Sequence, residues 1–190
     1  PSDRRRIELV LPDLYLRLTT DSGVFSGQRI DPGTRFLLQE LPDLTEGRRI
    51  LDLGCGYGPI ALASALRAPD AEIWGIDVNE RALALARENA GANSITNTRF
   101  CTPDGVPPEI RFDRIASNPP IRIGKSALHQ LLGRWLDRLT PTGVAHLVVQ
   151  KHLGSDSLAS WLSENGWETR RLASRKGYRI LEVQARRGER

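Results

Sequence analysis

Methionine is absent from the 190 residues, and cysteine nearly so, at two. Cys55 and Cys101 cannot make a disulfide framework, and no Cys/His spacing matches a zinc site. A metal-free protein of a reducing cytoplasm is therefore expected. The histidines, His129, His146 and His152, have no acidic or metal-binding partner by spacing and read as structural or surface residues. Long apolar runs are also missing. The longest uncharged stretch, 53–66, holds 14 residues and three glycines. A membrane helix needs roughly 20 mostly apolar residues, so no membrane partner is expected. Glu8, Asp13 and Arg17 interrupt any apolar core of a secretory signal. The lack of methionine together with a start at Pro1 reads as trimming or processing, which leaves an upstream domain open.

What is present is ordinary for a globular chain: 39% hydrophobic and 26% charged residues. The length corresponds to about one domain. Net charge is +4, unevenly placed: residues 170–190 carry eight basic side chains against Glu182 and Glu189, a net +6, leaving the preceding residues at −2. A basic end on a near-neutral body fits a polyanion partner. A solvated arginine-rich surface fits it as well.

Apolar periodicity switches repeatedly between 2 and 3.6, predicting alternating strands and helices. Strands are expected at 49–53, 72–77, 98–101, 112–117, 144–149, 168–173 and 178–185, with a small hairpin from 7–10 and 15–18. Asp31-Pro32-Gly33-Thr34 opens a short helix ending before Pro42, Gly58-Pro59 opens another, and Asn79 caps a third. Leu128, Leu131, Leu132, Trp135, Leu136 and Leu139 make one helical stripe; a further helix after Ser155 buries Leu158, Trp161 and Leu162. The alternation argues a mostly parallel sheet covered on both faces. Four residues between the last two strands make them an antiparallel hairpin. The expectation is one structural domain, with residues 1–30 as a hairpin extension on a main unit of 31–190.

Ile50-Leu51-Asp52-Leu53-Gly54-Cys55-Gly56-Tyr57-Gly58 is a buried strand entering a glycine-rich turn and then a helix. Such glycines let backbone approach a ligand closely. Pro59 stands near where a dinucleotide-binding loop has its third glycine, which disfavours a nicotinamide dinucleotide. Asp77 closes the next strand, 23 residues after Gly54, where a carboxylate can accept both hydroxyls of a ribose. A nucleoside without a diphosphate fits both features, and S-adenosylmethionine is such a ligand. Asp52 or Asp77 alone would read as a strand-end cap or ion pair. Gly124-Lys125-Ser126 imitates the end of a phosphate loop, but Pro119 stands where that motif needs its first glycine, so an NTPase is rejected.

Ser117-Asn118-Pro119-Pro120-Ile121 ends a strand abruptly, because two prolines fix φ. The corner projects past the carboxyl end of the sheet, where open α/β folds bind ligands. The Asn118 side-chain oxygen and the Pro119 carbonyl can both accept from one planar NH2 group. Two acceptors bias that nitrogen toward a pyramidal geometry and aim its lone pair at a methyl donor, so catalysis is positioning. A strand-terminating turn is the structural alternative.

With these motifs in place the sequence resembles class I S-adenosylmethionine-dependent methyltransferases acting on planar amino groups. Val24-Phe25-Ser26, Asp31-Pro32-Gly33-Thr34, Asn-Pro-Pro-Ile-Arg-Ile-Gly-Lys and Gly177-Tyr178-Arg179-Ile180-Leu181 narrow the resemblance to the small-subunit ribosomal RNA guanine-N2 methyltransferases (RsmC-type), over about residues 10–184. Ile121 departs from the pattern, since many base-amino methyltransferases place Tyr or Phe there to stack on an extruded base; this weakens an adenine-DNA reading. The resemblance implies a Rossmann-like sheet of seven strands in the order 3-2-1-4-5-7-6, strand 7 antiparallel. It implies catalysis at Asn118, Pro119, Pro120 and Ile121, and cofactor contacts from Asp52, Gly54, Cys55, Gly56, Gly58, Asp77, Val78, Asn118 and Asp104. Asp52 would organise the loop and the methionine ammonium, and Asp104 would approach the adenine amine. Phe25, Gly27, Asp31 and Gly33 would close the pocket, while Arg122 and Lys125 would meet RNA phosphates. The implied activity is methylation of guanine N2 in 16S ribosomal RNA, free or in the small subunit, by a cytoplasmic monomer. Methylation of a protein glutamine amide uses the same Asn-Pro-Pro logic; a degenerate methyltransferase fold that only binds nucleic acid is the non-enzymatic alternative.

Overall fold

The computed structural model describes residues 2–43 and 48–188. The chain opens with a two-stranded antiparallel hairpin, β1 (Arg5–Leu11) and β2 (Leu14–Thr20). Alternation sends Leu9, Leu11, Leu16 and Leu18 to one buried face. That face is part of the main core, so the extension packs into the domain. The helix α3 (Glu80–Ala92) and its cap hold the outer edge of β2 with two asparagines that imitate a strand. Asn93 accepts from Arg17 N at 3.1 Å and donates to Arg17 O at 2.8 Å. Asn89 accepts from Thr19 N at 2.7 Å and donates to Thr19 O at 3.0 Å.

The remaining elements run α1 (Pro32–Glu40), β3 (Arg49–Leu53), α2 (Pro59–Arg67), β4 (Glu72–Ile76), α3, β5 (Thr98–Cys101), β6 (Phe112–Ser117), α4 (Lys125–Leu136), β7 (Leu139–Gln150), α5 (Ser155–Glu164), β8 (Thr169–Arg175) and β9 (Tyr178–Gln184). Seven strands form one sheet in the order β5-β4-β3-β6-β7-β9-β8. Neighbours from β5 to β7 pair parallel, and β9 runs antiparallel to both β7 and β8. This is the order expected from the sequence. One core lies between the sheet and the hairpin with α1, α2 and α3; the other lies under α4 and α5. Successive residues of β3 feed opposite cores, Ile50 one way and Leu51 the other.

Three local readings change. Leu139 is not the last residue of the α4 stripe. The helix stops at Leu136, Arg138 N donates to Trp135 O at 3.0 Å, and Leu139 opens β7 opposite Phe112. Asp77 falls one residue past β4, although its N–H still reaches Cys101 O at 3.3 Å. The basic run is not a tail, because most of it is β8 and β9. Several of its arginines are already engaged: Arg170 with Glu182 at 2.7 Å, Arg175 with Glu40 at 3.2 Å and Arg186 with Asp137 at 2.6 Å. Glu189 and Arg190 lie outside the described residues. No helix among the described residues is long and apolar enough to cross a membrane, and no group of three or more His, Cys, Asp or Glu there could hold a metal.

Candidate active site

A cavity of about 710 Å³ opens above the carboxyl ends of β3, β4, β6 and β7, within the range of small-molecule sites. It brings together the glycine loop, Asp77 and the Asn-Pro-Pro corner. The loop hangs on β4: Gly54 N and Cys55 N both donate to Ile76 O at 2.9 Å. Asp77 then fixes its tip, because Oδ2 accepts from Gly56 N at 2.8 Å while Oδ1 accepts from Asn79 N at 2.9 Å, beside the helix cap of α3. Each carboxylate oxygen keeps a further lone pair for a ligand hydroxyl. Gly56 has φ +56°, and a Cβ built there would meet nothing within 4 Å. The backbone at this point faces open space that a side chain would fill, which suits close approach by a nucleoside.

Asp52 is 1% exposed at the end of β3 and does not line the cavity. Its Oδ2 accepts from Ala61 N at 2.9 Å, bracing the first turn of α2. Oδ1 is buried and has no partner among the described residues. Burial, reinforced by the charge of Asp77, pushes its carboxyl up to about 8. A cation brought to the loop would restore its ionised form. Together the open glycine turn and the Asp77 carboxylate fit a nucleoside such as S-adenosylmethionine, with the Asp52 carboxyl buried behind the loop. Cys55 lies beside them, buried, with its thiol raised well above the usual range by desolvation.

At the corner, the Asn118 amide is held from behind. Nδ2 donates to Asp31 Oδ2 at 2.9 Å and to Thr34 Oγ1 at 3.1 Å, using both amide hydrogens. Among the described residues no donor engages Oδ1. Asp31 is also the N-cap of α1, accepting from Thr34 N at 2.9 Å. One carboxylate thus starts a helix and orients the amide. The Pro119 carbonyl accepts from Ile121 N at 2.9 Å and keeps a second lone pair.

Cys55, Val78, Phe25, Pro120, Ile121 and Arg122 line the cavity as well, with Phe25 68% and Val78 82% exposed at its rim. Other expected residues stand elsewhere. Gly58, φ +103°, is the N-cap of α2 and lies close to Ala86 and Leu62, while Gly27 sits against the backbone of Asp21. Gly33 packs under Tyr178, since a Cβ there would come within 2.7 Å of the ring. Asp104 sits in a short turn with its side chain 97% exposed, outside the lining and 3.9 Å from Arg134. Lys125 is the first residue of α4 and is also outside. The lining residues without a site role assigned from the sequence include Thr34, Gln150 and Tyr178. Thr34 was legible as the third residue after the cap Asp31. Gln150 carried no signal, because only the pairing of β7 with β9 brings it beside Tyr178.

The methyltransferase small domain model matches residues 15–182. A Bacillus subtilis (strain 168) relative named uncharacterized protein YbxB is 41% identical over 170 residues, covering 87% of this chain and 84% of its own. Ribosomal RNA small subunit methyltransferase C of Shewanella loihica is 34% identical over 158 residues, covering 80% of this chain and 46% of its own. Ribosomal RNA large subunit methyltransferase G of Streptomyces avermitilis is 34% identical over 143 residues, covering 72% and 38%. The chain thus spans under half the length of these two RNA methyltransferases. A solved structure of the T. thermophilus 16S rRNA N2 guanine methyltransferase RsmC, in complex with AdoMet and guanosine, superposes with TM-score 0.84 at 26% identity, covering 98% of this chain and 52% of that one. The chain belongs to the methyltransferase small domain family, a family of S-adenosylmethionine-dependent methyltransferases.

Proposed function

We propose that the protein methylates the exocyclic N2 amine of guanine in small-subunit ribosomal RNA, in the cytoplasm. The observation that carries this reading is the Asn118 amide. Both of its hydrogens are committed to Asp31 and Thr34, so Oδ1 stands as a fixed acceptor next to the Pro119 carbonyl. Bound S-adenosylmethionine supplies an electrophilic methyl group. Asp77 and the backbone from Gly54 to Gly56 would hold its nucleoside, and Asp52 would balance its positive charge. Asn118 and Pro119 would take the two hydrogens of the guanine amine and point the nitrogen lone pair at the methyl. No strong base is required, because the proton of the methylated amine can leave to water; the rate comes from orientation. Ile121 would press an aliphatic face on the base. Asp104, solvent-exposed, would reach the adenine amine only if its turn closed over the cavity. The relatives named for ribosomal RNA methylation and the guanosine-bound neighbour support an RNA substrate.

A guanine paired in a duplex hides its amine, so the target base must be unpaired or flipped out, at a cost of a few kcal/mol. Arg122 and Lys125 would offset that cost through phosphate contacts. The test is transfer of label from S-adenosylmethionine to undermethylated small subunits, naked ribosomal RNA and a glutamine-bearing release-factor protein. Label recovered as N2-methylguanosine is the expected result. Label only in protein, or on adenine, overturns the reading.

A further inference from the structure

Gln150 and Tyr178 line the cavity on the side of Asn118 away from the glycine loop. The strand order places them there. β3 and β4, which lead to the loop and Asp77, flank β6 on one side; β7, which ends in Gln150, and β9, which begins with Tyr178, lie on the other. The two residues are paired across β7 and β9, and Gln150 Nε2 donates to Tyr178 Oη at 2.9 Å. Their mounting is rigid. Lys176 and Gly177 form a tight turn with φ +46° and +81°, and Lys151 N donates to Gly177 O at 2.7 Å. The tyrosine ring lies against Gly33, where any Cβ would collide with it. Among the described residues neither side chain hydrogen-bonds Asn118, Asp77 or the glycine loop.

The pair offers a hydrogen-bond donor and an acceptor side by side. With Nε2 donating one hydrogen to Oη, its second hydrogen, the tyrosine hydroxyl hydrogen and Gln150 Oε1 remain available. With the amide turned over, the tyrosine donates to Oε1, and both amide N–H groups and the phenolic oxygen remain instead. A guanine whose N2 is held by Asn118 and Pro119 presents, next along its edge, the N1–H donor and then the O6 acceptor. An adenine held by N6 presents N1, an acceptor, and then a C–H. A cytosine held by N4 presents two acceptors, and a protein glutamine amide has no further edge. We infer that Gln150 and Tyr178 are the specificity-determining pair that reads the N1–H and O6 positions of guanine. This rests on the guanine-N2 reading above.

The experiment is inhibition of methyl transfer to undermethylated small-subunit RNA by two nucleosides, guanosine and 2,6-diaminopurine riboside. The second keeps the 2-amino group but reverses the donor and acceptor at the two following positions. For the wild type, guanosine inhibits at least about tenfold more strongly, the order expected for one two-point base contact. Tyr178→Phe keeps the ring against Gly33 and removes only the hydroxyl; Gln150→Met keeps the side-chain length. Each brings the two nucleosides within about threefold of one another and raises the KM for RNA, with S-adenosylmethionine affinity unchanged. Equal or absent inhibition of the wild type by the two nucleosides, or preserved preference in both variants, overturns the assignment. Failure of the underlying reading is distinct, because then the wild type yields no N2-methylguanosine before any nucleoside is added.

Discussion

Asp77 performs two tasks with one carboxylate: it ties down the glycine turn through Gly56 N and stands ready for the ribose. Asp77→Ala removes both. Charge-assisted hydrogen bonds are each worth about 1.5–3 kcal/mol, so S-adenosylmethionine affinity falls at least about tenfold by calorimetry. Unchanged affinity in a folded Asp77→Ala protein would contradict the placement of the nucleoside. Asp52 gives a pH signature. Its folded-state carboxyl titrates near 8, against 3.8 as the ordinary value, because burial disfavours the charge. A raised folded-state value means the folded form holds the proton more tightly. Its stabilising contribution is complete below pH 3.8 and is lost progressively as pH rises through about 8. Asp52→Asn retains an oxygen for Ala61 N but cannot ionise. In the absence of cofactor, the variant therefore loses less stability than the wild type between pH 4 and 8, as chemical denaturation at several pH values will show. Parallel pH profiles for the two proteins would refute the assignment.

Elements matter here through the joints between them. Asn89 is 1% exposed in the last turn of α3, and its amide serves Thr19 on the hairpin and Tyr57 in the glycine loop, the latter at 2.9 Å. The hairpin and the cofactor loop thus share one buried side chain. Asn89→Ala strands three backbone groups, and at about 1–3 kcal/mol for each unsatisfied buried group the loss is at least about 2 kcal/mol. Hydrogen exchange at Thr19 and a denaturant midpoint read it out; a loss under about 0.5 kcal/mol would show that water replaces the amide easily. This joint was not legible in advance. Asn89 sits within a helical run, and nothing in local periodicity says that its amide faces a strand 70 residues away. The individual strands and the loop were legible, because glycines, prolines and β-branched runs act over a few neighbouring residues, whereas the order of the strands came from the family resemblance. Leu139 departs from its local pattern for a related reason: it continues the i, i+3, i+4 spacing of α4, yet Phe112 takes it into the sheet. At the site, Asn118 and Asp77 were recognisable from their motifs and Thr34 from its place after the cap Asp31, while Gln150 acquires a role only through contacts distant in sequence.

For the whole molecule the basic balance is partly internal. Arg186 binds Asp137 and lies 4.2 Å over Trp167, and Arg170 binds Glu182, which in turn bonds His146 across the sheet. Among the described residues Arg122, Lys125, Arg171 and Lys176 make no ion pair, so they remain for phosphates. RNA binding should weaken with salt with a log–log slope near −0.7 for each phosphate neutralised. Arg122→Ala and Lys125→Ala should each flatten it by about 0.7, whereas Arg186→Ala should leave it unchanged. The reverse pattern would place the RNA on β8 and β9, away from the cavity. The central claim is that the cavity separates cofactor holding from amine orientation, and Asn118→Ala tests it most directly. The substitution removes the acceptor oxygen and leaves the glycine loop and Asp77 untouched. Turnover on undermethylated small-subunit RNA should fall by roughly 10²-fold or more. S-adenosylmethionine affinity, measured on the same preparation, should stay within about threefold. Loss of both together would make Asn118 a structural turn residue and contradict the account.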